Sequence, residues 1–139
     1  MDDRTKFLRR TLSTNAVVTF VFGALSLIDR ELVAGLIGLS SWVPVATAAA
    51  ICLAFAPVLF LAARKRELSA ADGTYLVAVD GAWVAASLAA ALLAPVNGLG
   101  RALIVAQAAL VAVFIVLETA GIRRLQPKDL ERMPHRAQA

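Results

Sequence analysis

The apolar positions of this chain fall in long unbroken runs bounded by clusters of charge, not in a period of two or in one stripe of a 3.6-residue period. Runs of that kind predict helices that are apolar all round. A bilayer core about 30 Å thick is crossed by about 20 residues rising 1.5 Å each, and four segments reach that scale. The first spans Thr11 to Ile28, between Arg9-Arg10 and Asp29-Arg30-Glu31; the second spans Trp42 to Ala63 and ends at Arg64-Lys65-Arg66. The third, about 74–94, contains one acid, Asp80, and the fourth, about 102–122, contains one acid, Glu118. The expected fold is all-α: an integral membrane antiparallel four-helix bundle forming a single domain over 1–139, with a polar tail at 125–139.

The connections carry their own signals. Leu32 to Leu39 is apolar but too short to cross, so a short interfacial or re-entrant helix is expected between spans one and two, with Trp42 as an aromatic anchor. Pro44 suits the first turn of the second span, whereas Pro57 lies inside it and is expected to kink it. The run Pro95-Val96-Asn97-Gly98-Leu99-Gly100 is rich in breakers and predicts a tight hairpin between the last two spans.

Composition narrows the class. Of 139 residues, 60% are apolar and 17% charged, against roughly 45–50% and about 25% in a soluble domain. The same figures exclude a disordered chain. The net charge of +4 would raise nucleic acid as a partner in a soluble protein, but its distribution has another cause. Twelve of the 14 Lys and Arg lie in the amino-terminal segment, the second connection and the carboxyl tail, while Arg30 and Arg101 occupy the other two connections. Cytoplasmic segments hold the excess of positive charge, so both termini are expected in the cytoplasm, N-in and C-in. The partner this implies is the lipid bilayer, with anionic headgroups as a secondary attraction and no nucleic acid. Arg9-Arg10 ahead of an apolar run resembles an export signal, but no small-x-small cleavage site and polar mature domain follow Ile28, so the span is expected to be retained.

Candidate chemistry lies in the exceptions to the apolar runs. An ionisable side chain near the bilayer centre costs about 2.5–3.5 kcal/mol on insertion scales and is expected to face the bundle interior with a partner. Asp80 lies eight residues past Asp72, Glu118 five before Arg123 and Asn15 five past Arg10, which places all three within about 7.5–12 Å of the cytoplasmic side. Helical spacing extends them into stripes: Asn15, Thr19, Phe22, Ser26; Asp80, Val84, Ser87; and Gln107, Val111, Phe114, Glu118. These stripes define the faces expected to meet. Gly81 with Ala85, and Ala46 with Ala50 and Ala54, are small residues at a spacing that permits close helix approach.

Two readings of the Asn15, Asp80 and Glu118 cluster stand side by side. In one, the two carboxylates share a proton or handle a ligand. In the other, they belong to an inter-helix hydrogen-bond network, with Glu118 snorkelling toward Arg123 or Arg124. Trp83, one turn from Asp80, is a candidate indole donor to a carboxylate or a packing residue. Cys52, the one cysteine, excludes an internal disulfide and reads as a small core residue. His135 has no second ligand at metal-site spacing, so neither a metal nor another cofactor is expected. There is no phosphate-cradling loop, no Ser-His-Asp set and no Cys-His pair, and an enzyme is not expected.

Asn15-Ala16 with Gly23 in the first span, Arg64 at the end of the second and Asp80-Gly81-Ala82-Trp83-Val84 in the third resemble a group of small bacterial four-helix inner-membrane proteins over about residues 8–124. The resemblance implies a bacterial inner-membrane location and places Asn15, Asp80 and Trp83 in a recurring pattern; it carries no catalytic or binding role. Small multidrug transporters are similar in size but carry a Glu in the first helix, where this chain has Asn15. Four-helix disulfide-generating proteins need cysteine pairs that are absent, and fluoride channels a glycine and arginine motif that is absent.

The leading expectation is a non-enzymatic accessory or interaction subunit, acting with another membrane protein or with itself as a homo-oligomer. The alternative is a small proton-coupled transporter or channel using Asp80 and Glu118. A lipid- or quinone-binding protein is the third class. Each expects a different interior: a bundle packed shut for the first, a water-accessible cavity reaching the carboxylates for the second, and an elongated apolar cleft for the third.

Overall fold

The computed structural model describes residues 3–125; the polar tail beyond them, with His135, lies outside the described residues. Five α-helices follow in order: α1 Asp3–Ile28, α2 Arg30–Ile37, α3 Val43–Arg64, α4 Ala70–Leu93 and α5 Gly98–Leu125. No strand occurs among the described residues. The four long helices are each long and apolar enough to cross a membrane, and α2 is the short helix expected between the first two. Pro44 sits in the first turn of α3, and α3 continues as helix through Pro57.

Helix bounds depart from the apolar runs for physical reasons. α1 begins eight residues before Thr11, because Thr5 to Arg10 include good helix formers that extend the helix past the lipid zone. α5 begins at Gly98, inside the expected turn. Asn97 starts it: its Oδ1 accepts from the Gly100 amide at 2.7 Å, which satisfies an otherwise unpaired donor of the first turn, and its carbonyl accepts the first regular helical bond, from the Arg101 amide at 2.9 Å. The Asn97 side chain also donates to the Leu36 carbonyl at 2.9 Å, tying α2 to the α4–α5 link.

α1 packs against α3 and α5, and α4 packs against α5. α3 and α4, although joined by the link 65–69, share no such interface. Close approach depends on glycine at several places, among them Gly73, where a Cβ would stand 2.6 Å from Ile122 Cγ1 between α4 and α5, and three others. A Cβ on Gly23 would stand 3.0 Å from Cys52 Cβ, one on Gly121 3.0 Å from Leu8 Cβ, and one on Gly100 2.6 Å from the Ile37 carbonyl oxygen. These set the α1–α3, α1–α5 and α2–α5 contacts. The small-residue pairs expected to do this do not: a Cβ on Gly81 meets nothing, and Ala50, Ala54 and Ala85 are exposed. In α3 the buried line is Val45, Ala49, Cys52, Ala56, Leu59 and Ala63, one helical step away from Ala46, Ala50 and Ala54. In a helix apolar all round, hydrophobicity does not select the phase.

Leu8, Leu12, Ala16, Leu59, Ala62, Ala63, Leu68, Leu76 and Ile122 form one buried cluster where the two ends of the described chain meet. Arg9 closes this end. Its Nη1 donates to the Ala63 carbonyl at 2.7 Å and its Nη2 to the carbonyls of Lys65 and Arg66, so a cation sits on the unpaired carbonyls at the α3 C-terminus, where the helix dipole favours it. α4 starts beside it with a reciprocal cap between Ser69 and Asp72, and Lys65 pairs with Asp72 at 2.7 Å.

Candidate functional site

Above the sealed end, α1, α4 and α5 each contribute one polar side chain to a shared point. Asn15 is 1% exposed, Asp80 5% and Glu118 0%. Asn15 Nδ2 donates to Asp80 Oδ2 at 2.9 Å and to Glu118 Oε1 at 2.9 Å. The amide must present its nitrogen here, because only the NH2 group can donate to two carboxylates at once. Its oxygen, Oδ1, turns the other way and accepts from Thr19 Oγ1 at 3.1 Å. One amide therefore holds two acids from two other helices.

The inventory of this point is unbalanced toward acceptors. Both Nδ2 hydrogens of Asn15 are spent, and no other described side chain donates to either acid. Glu118 Oε2 is buried without a partner. Glu118 does not reach toward Arg123 or Arg124 as the snorkelling reading expects; Arg124 instead stacks over Phe7, 4.4 Å from the ring centre. The other basic contacts also lie elsewhere: Arg30 over Trp42 and Arg64 over Phe60, Lys65 on Asp72 and Arg9 on the α3 terminus.

The polar point opens on one side into a cleft of about 600 Å³. Its walls come from all four long helices: Asn15, Val18, Thr19 and Phe22 of α1; Ile51, Cys52, Ala54, Phe55 and Val58 of α3; Val79, Asp80, Ala82, Trp83 and Ala86 of α4; and Gln107, Leu110, Val111 and Phe114 of α5. From Asn15 to Phe22 and from Gln107 to Phe114 is seven residues, so the cleft runs about 10 Å along the helix axes. It lies where α4, packed on α5, shares no such interface with either α3 or α1. Asp80 and Asn15 are its acidic and amide floor, and the rest of the lining is almost wholly apolar.

The stripes read from the sequence converge here. Asn15, Thr19 and Phe22, with Gln107, Val111 and Phe114, line the cleft, and Ser87 donates to Gln107 Oε1 at 3.4 Å. Trp83 lines it as well, without an indole bond to either carboxylate. Two parts had no sequence signal: the α3 wall, built from apolar residues in an apolar helix, and the Arg9 closure, which depends on carbonyl groups more than 50 positions away. Among the described residues no group of three or more His, Cys, Asp or Glu could hold a metal ion. Comparison with protein-family models, with curated proteins and with solved structures finds no match to this chain.

Proposed function

We propose that this multi-pass membrane protein is a non-enzymatic binding protein of the bacterial inner membrane, N-in and C-in, that takes one lipid-like molecule sideways from the bilayer into the cleft between α3 and α4. The observation that carries this reading is the cleft itself: about 600 Å³ of apolar-walled space, within the roughly 300–1,000 Å³ range of small-molecule sites. An accessory subunit needs a bundle packed shut, and a proton or solute path needs a polar route to the carboxylates. The Arg9 closure and the Leu8–Leu59–Ile122 cluster at the near end favour lateral entry over such a route. A partner transmembrane helix about 10 Å across and 30 Å long fills on the order of 2,000 Å³, several times the cleft. The charge asymmetry, with Arg9, Arg10, Arg64, Lys65 and Arg66 at one end of the bundle and Arg30 and Arg101 at the other, supports the orientation.

Trp83 supplies the test, because it lines the cleft while the second tryptophan, Trp42, caps α3 at the far end. In a Trp42→Phe protein reconstituted in phosphatidylcholine vesicles, a dibrominated fatty alcohol should quench Trp83 saturably. In Trp83→Phe it should quench Trp42 only in proportion to its mole fraction. Filling the cleft with Ala54→Leu and Ala86→Leu should abolish the saturable part. Proportional quenching of Trp83, unchanged by the filling substitutions, would refute the reading.

A further inference from the structure

We infer that the molecule the cleft selects is an amine-headed amphiphile, its ammonium on the Asp80 carboxylate and its apolar body along the α3 and α4 walls. This rests on the cleft being a lipid-like binding site and adds the chemistry of the head. The floor of the cleft offers acceptors only. Asn15 has spent both amide hydrogens on the two acids, its oxygen is taken by Thr19, and Asp80 receives no bond beyond the one from Asn15. Glu118, held by the same Asn15 amide, keeps one buried oxygen unpartnered, so the second acid adds acceptor capacity and no donor bond to the first.

Head chemistries sort against that inventory. A phosphate or carboxylate head meets like charge, which is strongly penalised in a site of low dielectric. A quinone or ester carbonyl is an acceptor that finds no donor among Asn15, Asp80 and Glu118 and would have to turn to the Trp83 indole or the Gln107 amide on the walls instead. An alcohol can donate one neutral hydrogen bond. An ammonium donates charge-assisted bonds and also supplies a positive charge, which Arg9, Arg30, Arg64, Lys65 and Arg124 spend elsewhere. Charge-assisted bonds exceed neutral ones by an amount equivalent to about tenfold in affinity, and that ratio is the expected preference for amine over alcohol. The apolar walls require that the rest of the molecule be uncharged.

Competition in the Trp83 quenching assay tests the inference. In the Trp42→Phe protein, dodecylamine should displace the brominated alcohol at about one-tenth the membrane mole fraction that dodecanol requires, and dodecanoate should not displace it. Asp80→Asn should remove the amine preference while keeping dodecanol competition, because the Asn side-chain oxygen still accepts from Asn15. Glu118→Gln should lower the preference in the same direction and guards against a folding defect in the first variant. Equal competition by dodecylamine and dodecanol in the unsubstituted site, or a preference that persists in both variants, would overturn the amine assignment with the cleft reading intact. If none of the compounds binds saturably, the cleft reading itself falls.

Discussion

Replacing Asn15 by Ala removes the one group that joins α1 to both α4 and α5 through polar bonds. Two bonds are lost, each 2.9 Å long and each to a carboxylate. Hydrogen bonds to charged groups contribute about 1.5–3 kcal/mol in water-soluble proteins, whereas inter-helix bonds measured within membranes average about 0.6 and reach about 1.7 kcal/mol. Burial of all three residues and the absence of a substitute donor favour the upper membrane value, so two bonds give about 3 kcal/mol, or roughly a 100-fold shift in the unfolding equilibrium. The assay is reversible unfolding in mixed micelles with added dodecyl sulfate, followed by Trp83 emission. A double-mutant cycle isolates the cause: with Asp80→Asn and Glu118→Gln already present, Asn15→Ala should cost less than about 1 kcal/mol, since the acceptors left behind are neutral. A cost below about 0.5 kcal/mol in the native background, or one unchanged in the neutralised background, would show that the amide does not hold the two acids in place.

Three further substitutions probe the frame around the site. Gly100→Ala should destabilise by about 1–3 kcal/mol, because the new Cβ would stand 2.6 Å from the Ile37 backbone oxygen; faster amide exchange across 30–37 would report the loosening of α2. Gly81→Ala, with nothing near its added Cβ, should stabilise by about 0.5–1 kcal/mol through helix propensity alone, read in the same micelle titration; a loss would reveal a contact at that face. Arg9→Met should leave the carbonyls of Ala63, Lys65 and Arg66 without their donor and cost about 1–3 kcal/mol, with proteolysis of the 65–69 link accelerated and no change at α2.

The four spans were legible because lipid imposes a length and a composition that charge clusters then frame. The polar point was legible for the converse reason: Asn15, Asp80 and Glu118 are costly in lipid, and a costly residue has to find a partner. Their helical neighbours Thr19, Phe22, Gln107 and Phe114 followed by periodicity. What stayed hidden was phase within the apolar helices. Ala46, Ala50 and Ala54 share spacing with Ala49, Cys52 and Ala56, and neither water nor charge marks which line faces inward. The gap between α3 and α4 was hidden for a related reason, since it arises from the packing of α1 on both α3 and α5 and not from any local feature of the residues that line it. Arg9 read as a topology signal, and its second use as a cap on α3 depends on where that helix ends.

The polar bridge also has a timing built into it. Asn15 precedes Asp80 by 65 positions and Glu118 by 103 along the chain. At about 5–20 residues synthesised per second, the amide of α1 is made some 5–20 s before its last acceptor. Until α4 follows, α1 can already pack on α3 through Gly23 and the Ala49–Cys52 face, but its amide has neither acid to bind; α4 then brings Asp80 alone. Arrival of α5 brings Glu118 and, with Gly121 against Leu8, fixes α1 between its two neighbours. A chain that stalls before α5 therefore leaves one of the two amide hydrogens of Asn15 without its acceptor within the bilayer, a feature by which membrane quality control could tell an unfinished bundle from a finished one.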